Sequence, residues 1–125
     1  MTKRVLLAED ELNIVESLSY LLEREGYEIF VETDGRKALQ SAMDNVPDVL
    51  ILDVMLPEMD GYEILRSLRA DPRTAQLPIL MLTAKGQAED REMAFKLGAD
   101  LFITKPFANA DITDAVGQLA AGRPG

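Results

Sequence analysis

Short apolar runs alternate along this chain with segments whose apolar residues return every three or four positions. Val5-Leu6-Leu7-Ala8 is the first run and reads as a strand. From about Glu11 to Glu25, Leu12, Val15, Leu18, Leu21 and Leu22 recur at helical spacing, which predicts a helix with these residues facing inward. Gly26 stands where a helix C-terminal cap is expected. Tyr27, Ile29 and Val31 then alternate with Glu28, Phe30 and Glu32, the period of a second strand. A second helix is predicted from Gly35 to about Asn45, with Ala38, Leu39, Ala42 and Met43 inward, and a third strand over Val49–Leu52, ending at Asp53. Pro57, Asp60 and Gly61 mark a turn-rich loop. A helix from about Tyr62 to Ala70 buries Leu65 and Leu68 and is stopped by Asp71-Pro72. Ile79–Leu82 is the fourth strand, ending at Thr83; Glu89–Leu97 is a helix closed by Gly98; Leu101-Phe102-Ile103 is the fifth strand, followed by Lys105-Pro106. The last helix runs from about Ala110 to Leu119, with Ile112, Val116 and Leu119 inward and Asn109 as its expected N-cap.

Strict β-α alternation calls for a parallel sheet covered by helices, an α/β doubly wound fold of five strands. The third and fourth strands are uninterrupted apolar runs, as strands covered on both faces should be. The second alternates and is flanked by Glu28 and Glu32, so it belongs at an edge; the short fifth strand suits the other edge. An order of 2-1-3-4-5 satisfies these constraints, and right-handed crossovers then place helices on both faces.

Composition narrows the chemistry. The 125 residues include no Cys and no His, so disulfides, thiolate or imidazole metal sites and a resident histidine base are all excluded. A metal here must sit on oxygen ligands, which favours Mg²⁺, Ca²⁺ or Mn²⁺. The formal net charge of −9 argues against direct nucleic-acid binding, although solubility alone would explain most of it. No apolar run approaches the roughly 18 residues of a membrane helix, and the N-terminal residues do not form a signal peptide, so a cytoplasmic protein is expected.

Open α/β sheets bind ligands beyond the carboxyl ends of their strands. Glu9, Asp10 and Glu11 follow the first strand, Asp53 the third, Thr83 the fourth and Lys105 the fifth. Each alone has an ordinary explanation as a turn former, helix cap or surface charge; their convergence on one rim does not. With strands one and three adjacent, Glu9, Asp10 and Asp53 fall close together. Two carboxylates about 4 Å apart repel by roughly 4 kcal/mol at an effective dielectric near 20. One lysine cannot balance three of them, whereas a hard divalent cation can. Lys105 and the Thr83 hydroxyl would supply donors to phosphate oxygens, so the set suits phosphoryl transfer onto Asp53.

These residues, together with Leu50 through Gly61, Thr83-Ala84 and Lys105-Pro106-Phe107, resemble the receiver domain of two-component response regulators over about Arg4 to Leu119. The resemblance implies a flavodoxin-like receiver fold in which Asp53 is the phosphoacceptor. Asp10 would ligate Mg²⁺ directly, Glu9 directly or through water, and the Met55 backbone carbonyl would be a further ligand, with Mn²⁺ as a substitute ion. Lys105 would contact the phosphoryl oxygens, Thr83 would move to hydrogen-bond the phosphoryl group, and Phe102 would be the switch aromatic. Lys105-Pro106 would be a cis peptide. By the resemblance, Met55 and Lys85 stand at the family positions that flank the phosphoryl group and would tune its lifetime. The implied donor is a sensor histidine kinase or histidine phosphotransfer protein. The output would be a downstream effector or a fused domain, reached through the face of the fourth helix, fifth strand and fifth helix, with a phosphorylation-dependent homodimer left open. Residues 1–121 would form the receiver and 122–125 a tail or linker stub.

The same residues bear on three other readings. A Mg²⁺-dependent phosphatase with an Asp nucleophile would carry a second Asp two positions on, where Met55 stands. A flavin or nucleotide module would carry a Gly- or Ser/Thr-rich loop after the first strand, where Ala8-Glu9-Asp10-Glu11 would repel phosphate. A receiver-like scaffold that is never phosphorylated has no reason to keep the acids, Thr83 and Lys105 together.

Overall fold

A computed structural model describes residues 2–84 and 88–122. Strands β1 (Arg4–Ala8), β2 (Glu28–Glu32), β3 (Val49–Leu52), β4 (Ile79–Thr83) and β5 (Leu101–Thr104) alternate with helices α1 (Leu12–Arg24), α2 (Gly35–Asp44), α3 (Gly61–Ala70), α4 (Ala88–Leu97) and α5 (Asn109–Ala120). The sheet is parallel throughout and ordered β2-β1-β3-β4-β5, as the pattern of the strands predicts.

The pleat sorts each strand between two cores. Leu6, Leu50, Leu52, Ile79, Met81 and Phe102 face α2, α3 and α4, where they meet Ala38, Ala42, Ile64, Leu65, Leu68 and Ala94. Val5, Leu7, Val49, Ile51, Leu80 and Leu82 face α1 and α5, where they meet Leu18, Leu22, Ile112, Val116 and Leu119. The central strands are buried on both faces, which explains their unbroken apolar runs. The edge strand β2 leaves Phe30 and Val31 exposed, and Glu28 and Glu32 bracket it against pairing with other chains.

Two positions differ from expectation. Leu12, placed by spacing on the inward face of α1, is 67% exposed. It opens the first turn, which begins beyond the carboxyl end of β1, so no strand lies beneath it. Asn109 is the first residue of α5, and Ala108 occupies the N-cap without a side-chain bond. The first turn is instead closed by the Asp111 N–H donating to the Ala108 carbonyl at 3.0 Å. Asp34 and Asp60 do cap α2 and α3, accepting from the N–H groups of Lys37 at 3.1 Å and Glu63 at 3.0 Å. Gly26 and Gly98 end α1 and α4 at φ 95° and 110°, a backbone that a Cβ disfavours.

The amino-terminal edge of the sheet is tied by Arg69. Its guanidinium donates to the carbonyls of Gly98 (2.9 Å), Thr74 (3.1 Å) and Ala75 (3.2 Å) and to Asp100 Oδ2 (3.2 Å). Asp100 Oδ2 also accepts from the Ile79 N–H at 2.8 Å, fixing β5 beside β4. Helix α4 needs this tether, because Ala94 is the one fully buried residue it offers the core.

Candidate functional site

The opposite, carboxyl-terminal edge gathers the polar residues. Asp53 leaves β3 with its N–H still donating to the Ala8 carbonyl at 3.0 Å, so the acceptor is held beside the end of β1. Its Oδ1 accepts from the Met55 N–H at 3.1 Å, turning the loop tightly around the carboxylate. That loop is pinned from two sides. Gly61 lies so close that a Cβ there would stand 2.5 Å from the Asp53 carbonyl oxygen, and its N–H donates to the Val54 carbonyl at 2.8 Å. A side chain at Gly35 would collide with the Met59 carbonyl, and the Gly35 N–H donates to the Pro57 carbonyl at 2.9 Å. Between these clamps Glu58 adopts φ 71°, a left-handed backbone rare outside glycine.

Glu9 and Asp53 are buried, and Asp10 is exposed at the mouth. One carboxylate oxygen from each of the three lies within 4.8 Å of the others. Lys105 Nζ stands 2.8 Å from Glu9 Oε1, 3.1 Å from Asp53 Oδ2 and 3.1 Å from Glu11 Oε1. The approach to Glu9 is an ion pair in distance only: Glu9 Oε1 makes no well-directed hydrogen bond, while Oε2 accepts from the Glu11 N–H at 3.0 Å. Burial pushes the Glu9 carboxyl above its ordinary range and the Asp53 charge adds to this, against the pull of the Lys105 ammonium and the Glu11 N–H. Burial by itself would lower Lys105, but its contacts with Glu9 and Asp53 outweigh that and hold the ammonium well above its ordinary value. Among the described residues the rim is therefore short of positive charge, and its donor set is all oxygen. A buried carboxylate oxygen whose close cation is shared with two other acids fits a hard divalent cation.

Thr83 ends β4 fully buried, and its carbonyl accepts from the Lys105 N–H at 2.9 Å. Register places it opposite Thr104 and diagonal to Phe102, which pairs with Met81. Phe102 is 6% exposed, with the Phe95 ring 6.5 Å away and the Arg91 guanidinium 5.6 Å from its centroid. Met55 is exposed beside the acceptor. The Lys105-Pro106 bond is cis. Lys85 and the tail residues 123–125 lie outside the described residues. The structure thus brings Glu9, Asp10, Asp53 and Lys105 into one cluster and places Thr83 and Met55 on the same rim. It adds Glu11 to Lys105, a contact with no signal in the sequence beyond Glu11's place after the acidic pair. It also adds the two glycine clamps, for which Gly61 in a turn-rich loop was a partial cue.

The response regulator receiver domain family model matches residues 5–117. The chain belongs to that family. This receiver domain is 43% identical over 116 residues to the alkaline phosphatase synthesis transcriptional regulatory protein PhoP of Bacillus subtilis, covering 93% of this chain and 48% of that protein. The chain spans about half the length of the curated relatives it matches. Among solved structures it is similar to chemotaxis protein CheY4 of Vibrio cholerae, with a TM-score of 0.88 and 31% identity over 95% of this chain and 99% of that one. It is also similar to the receiver domain of sensor histidine kinase PA1611 from Pseudomonas aeruginosa, with a TM-score of 0.89 and 29% identity over 98% of this chain and 100% of that one; that receiver holds a magnesium ion in its active-site cleft. Receiver domains are the phosphoacceptor components of two-component signalling. Among the described residues of this one, no helix is long and apolar enough to cross a membrane.

Proposed function

We propose that Asp53 accepts a phosphoryl group from a phosphohistidine on a sensor histidine kinase or histidine phosphotransfer protein. The observation that carries this reading is Lys105 Nζ held 3.1 Å from Asp53 Oδ2 beside Glu9 and Asp10, a cluster with more acid than one ammonium neutralises. A Mg²⁺ ion held by Glu9, Asp10, Asp53 and the Met55 backbone carbonyl, with Mn²⁺ as a substitute, would supply positive charge against the incoming phosphoryl oxygens. The Asp53 carboxylate attacks phosphorus in line; the new O–P bond forms as the N–P bond to the donor histidine breaks. Lys105 pairs with the phosphoryl charge, so most of the rate comes from placement and neutralisation. These 125 residues contain no histidine, so the donor imidazole lies outside them. Water later cleaves the acyl phosphate and returns Asp53 to its free form, making the chain a catalyst of its own phosphorylation and dephosphorylation only.

The output follows from where Thr83 and Phe102 sit. Thr83 turns its hydroxyl toward the phosphoryl group, the space beside Phe102 changes, and Phe102 shifts the α4-β5-α5 face. This is a population shift limited by the phosphoryl group's differential contacts. The receiver, residues 1–121, acts in the cytoplasm through that face, on an effector protein, an attached output domain or a second copy of itself. Incubation with acetyl phosphate and Mg²⁺ adds one phosphoryl mass to the wild type and none to Asp53→Ala; equal labelling of both sinks the assignment. Amide shifts that never reach residues 89–96 on phosphorylation would sink the switch alone.

A further inference from the structure

Three carboxylates hold Lys105, and Glu11, the outermost, has no part in the transfer as described. Its Oε1 stands 3.1 Å from Lys105 Nζ, as close as Asp53 Oδ2. It is not one of the acids whose oxygens cluster within 4.8 Å of one another. The backbone of Glu11 serves local structure: the N–H orients Glu9, and the carbonyl accepts from Ile14 and Val15 at the start of α1, each at 3.0 Å. The side chain does something else. An N-cap side chain ordinarily turns back onto the first free N–H groups of its helix, and Glu11, the N-cap of α1, makes no such bond. Its carboxylate reaches instead to a lysine 94 residues along the chain. The side chain is 58% exposed and long, so fixing it in one geometry gives up rotamer freedom that only its partner offsets.

Building on the proposed function, we infer that Glu11 is a positioning residue that anchors the Lys105 ammonium over the acceptor from outside the acid cluster. Glu9 and Asp53 belong to that cluster, so their pairing with Lys105 must change when a cation or a phosphoryl group arrives. Glu11 stands apart from it. Its contact is the one that persists while the inner pair is re-partnered, and it keeps Nζ from swinging into solvent at the moment the phosphoryl charge needs it. A surface ion pair with no further role is the plain alternative, and such pairs often contribute nothing measurable.

Comparison of Glu11→Gln and Glu11→Asp with wild type decides between them. Lysine ammonium ¹H–¹⁵N spectra, with Lys105 assigned through Lys105→Arg, report restraint of Nζ directly. Glu11→Gln is expected to shift and broaden the Lys105 signal. It should slow Asp53 phosphorylation by acetyl phosphate at saturating Mg²⁺ by about two- to fivefold, the factor an exposed ion pair spans, while leaving Mg²⁺ affinity unchanged. Glu11→Asp is the sharper variant. Aspartate is a better N-cap than glutamate, so α1 and the melting temperature should hold or rise. Its carboxylate falls one methylene short of Lys105, so transfer should be as slow as in Glu11→Gln. A wild-type rate with an unmoved Lys105 signal overturns the inference. So does a rate loss that tracks thermal stability, or one matched by weakened Mg²⁺ affinity, which would place Glu11 among the ion's ligands. A wild-type chain that takes no phosphoryl group would defeat the proposed function instead, and the ammonium spectra would still decide whether Glu11 anchors Lys105.

Discussion

Arg69 and Lys105 each sit among oxygen atoms, at opposite edges of the sheet, and the two edges use them in opposite ways. At the amino-terminal edge, Arg69 meets three carbonyls and Asp100, whose carboxylate also accepts from the Ile79 N–H. The planar guanidinium suits such a fork of acceptors, and it pairs there with one acid. At the carboxyl-terminal edge, Lys105 faces Glu9, Glu11 and Asp53, with Asp10 nearby, and one buried carboxylate oxygen is left without a directed donor. Satisfied polar networks hold a fold together, whereas an unbalanced one is a site waiting for charge.

Substitutions at matched positions test that contrast. The largest effect should come from Asp53→Asn, which abolishes phosphoryl uptake by mass spectrometry, while Asp100→Asn leaves uptake intact. Uptake lost in both would mean the edges are not separable. Next, Arg69→Met should destabilise the fold by about 3 kcal/mol, since it leaves Asp100 short of its cation at a largely buried position. Urea unfolding measures this, and phosphorylation well below the transition should persist. Smaller, and opposite in sign, Asp53→Asn in the presence of a chelator should stabilise by about 1 kcal/mol, because it removes one acid from an over-acidic cluster. A loss of stability there would show that Lys105 already balances the rim.

The smallest effect is in pH. The Glu9 carboxyl binds its proton more tightly in the fold than at its ordinary value of 4.5. As pH rises, the unfolded chain releases this proton first, so stability falls from about that ordinary value upward until the folded group has also ionised, and the cost then stays in full. Chelated wild type should therefore lose stability relative to Glu9→Gln across that rise. Parallel curves for the two proteins would mean that burial at Glu9 has no energetic consequence.

Much of this was legible in the sequence, for identifiable reasons. Unbroken runs at Val49–Leu52 and Ile79–Leu82 gave away two-sided burial, and the Glu-bracketed Glu28–Glu32 gave away an edge. The rim residues were legible because parallel topology delivers every strand end to one side. Leu12 was misplaced because helical period does not report where the sheet beneath a helix stops. The residue type of Asn109 suits a cap, whereas the backbone already begins the helix there. The Glu11–Lys105 contact and the Gly35–Met59 clamp join residues far apart in the chain, and no local pattern encodes them.

The two glycine clamps carry a consequence for anyone who would re-engineer this molecule. The loop bearing the acceptor has no slack: widening position 35 or 61 pushes directly on the backbone that aims the carboxylate. Randomised libraries spanning residues 54 to 61 should tolerate broad change at Met55, favour glycine or asparagine at the left-handed Glu58, and return glycine at 61, and a parallel library at 35 should return glycine too. A new specificity grafted onto this scaffold is best written into the outward side chains of that loop, leaving its hinges untouched.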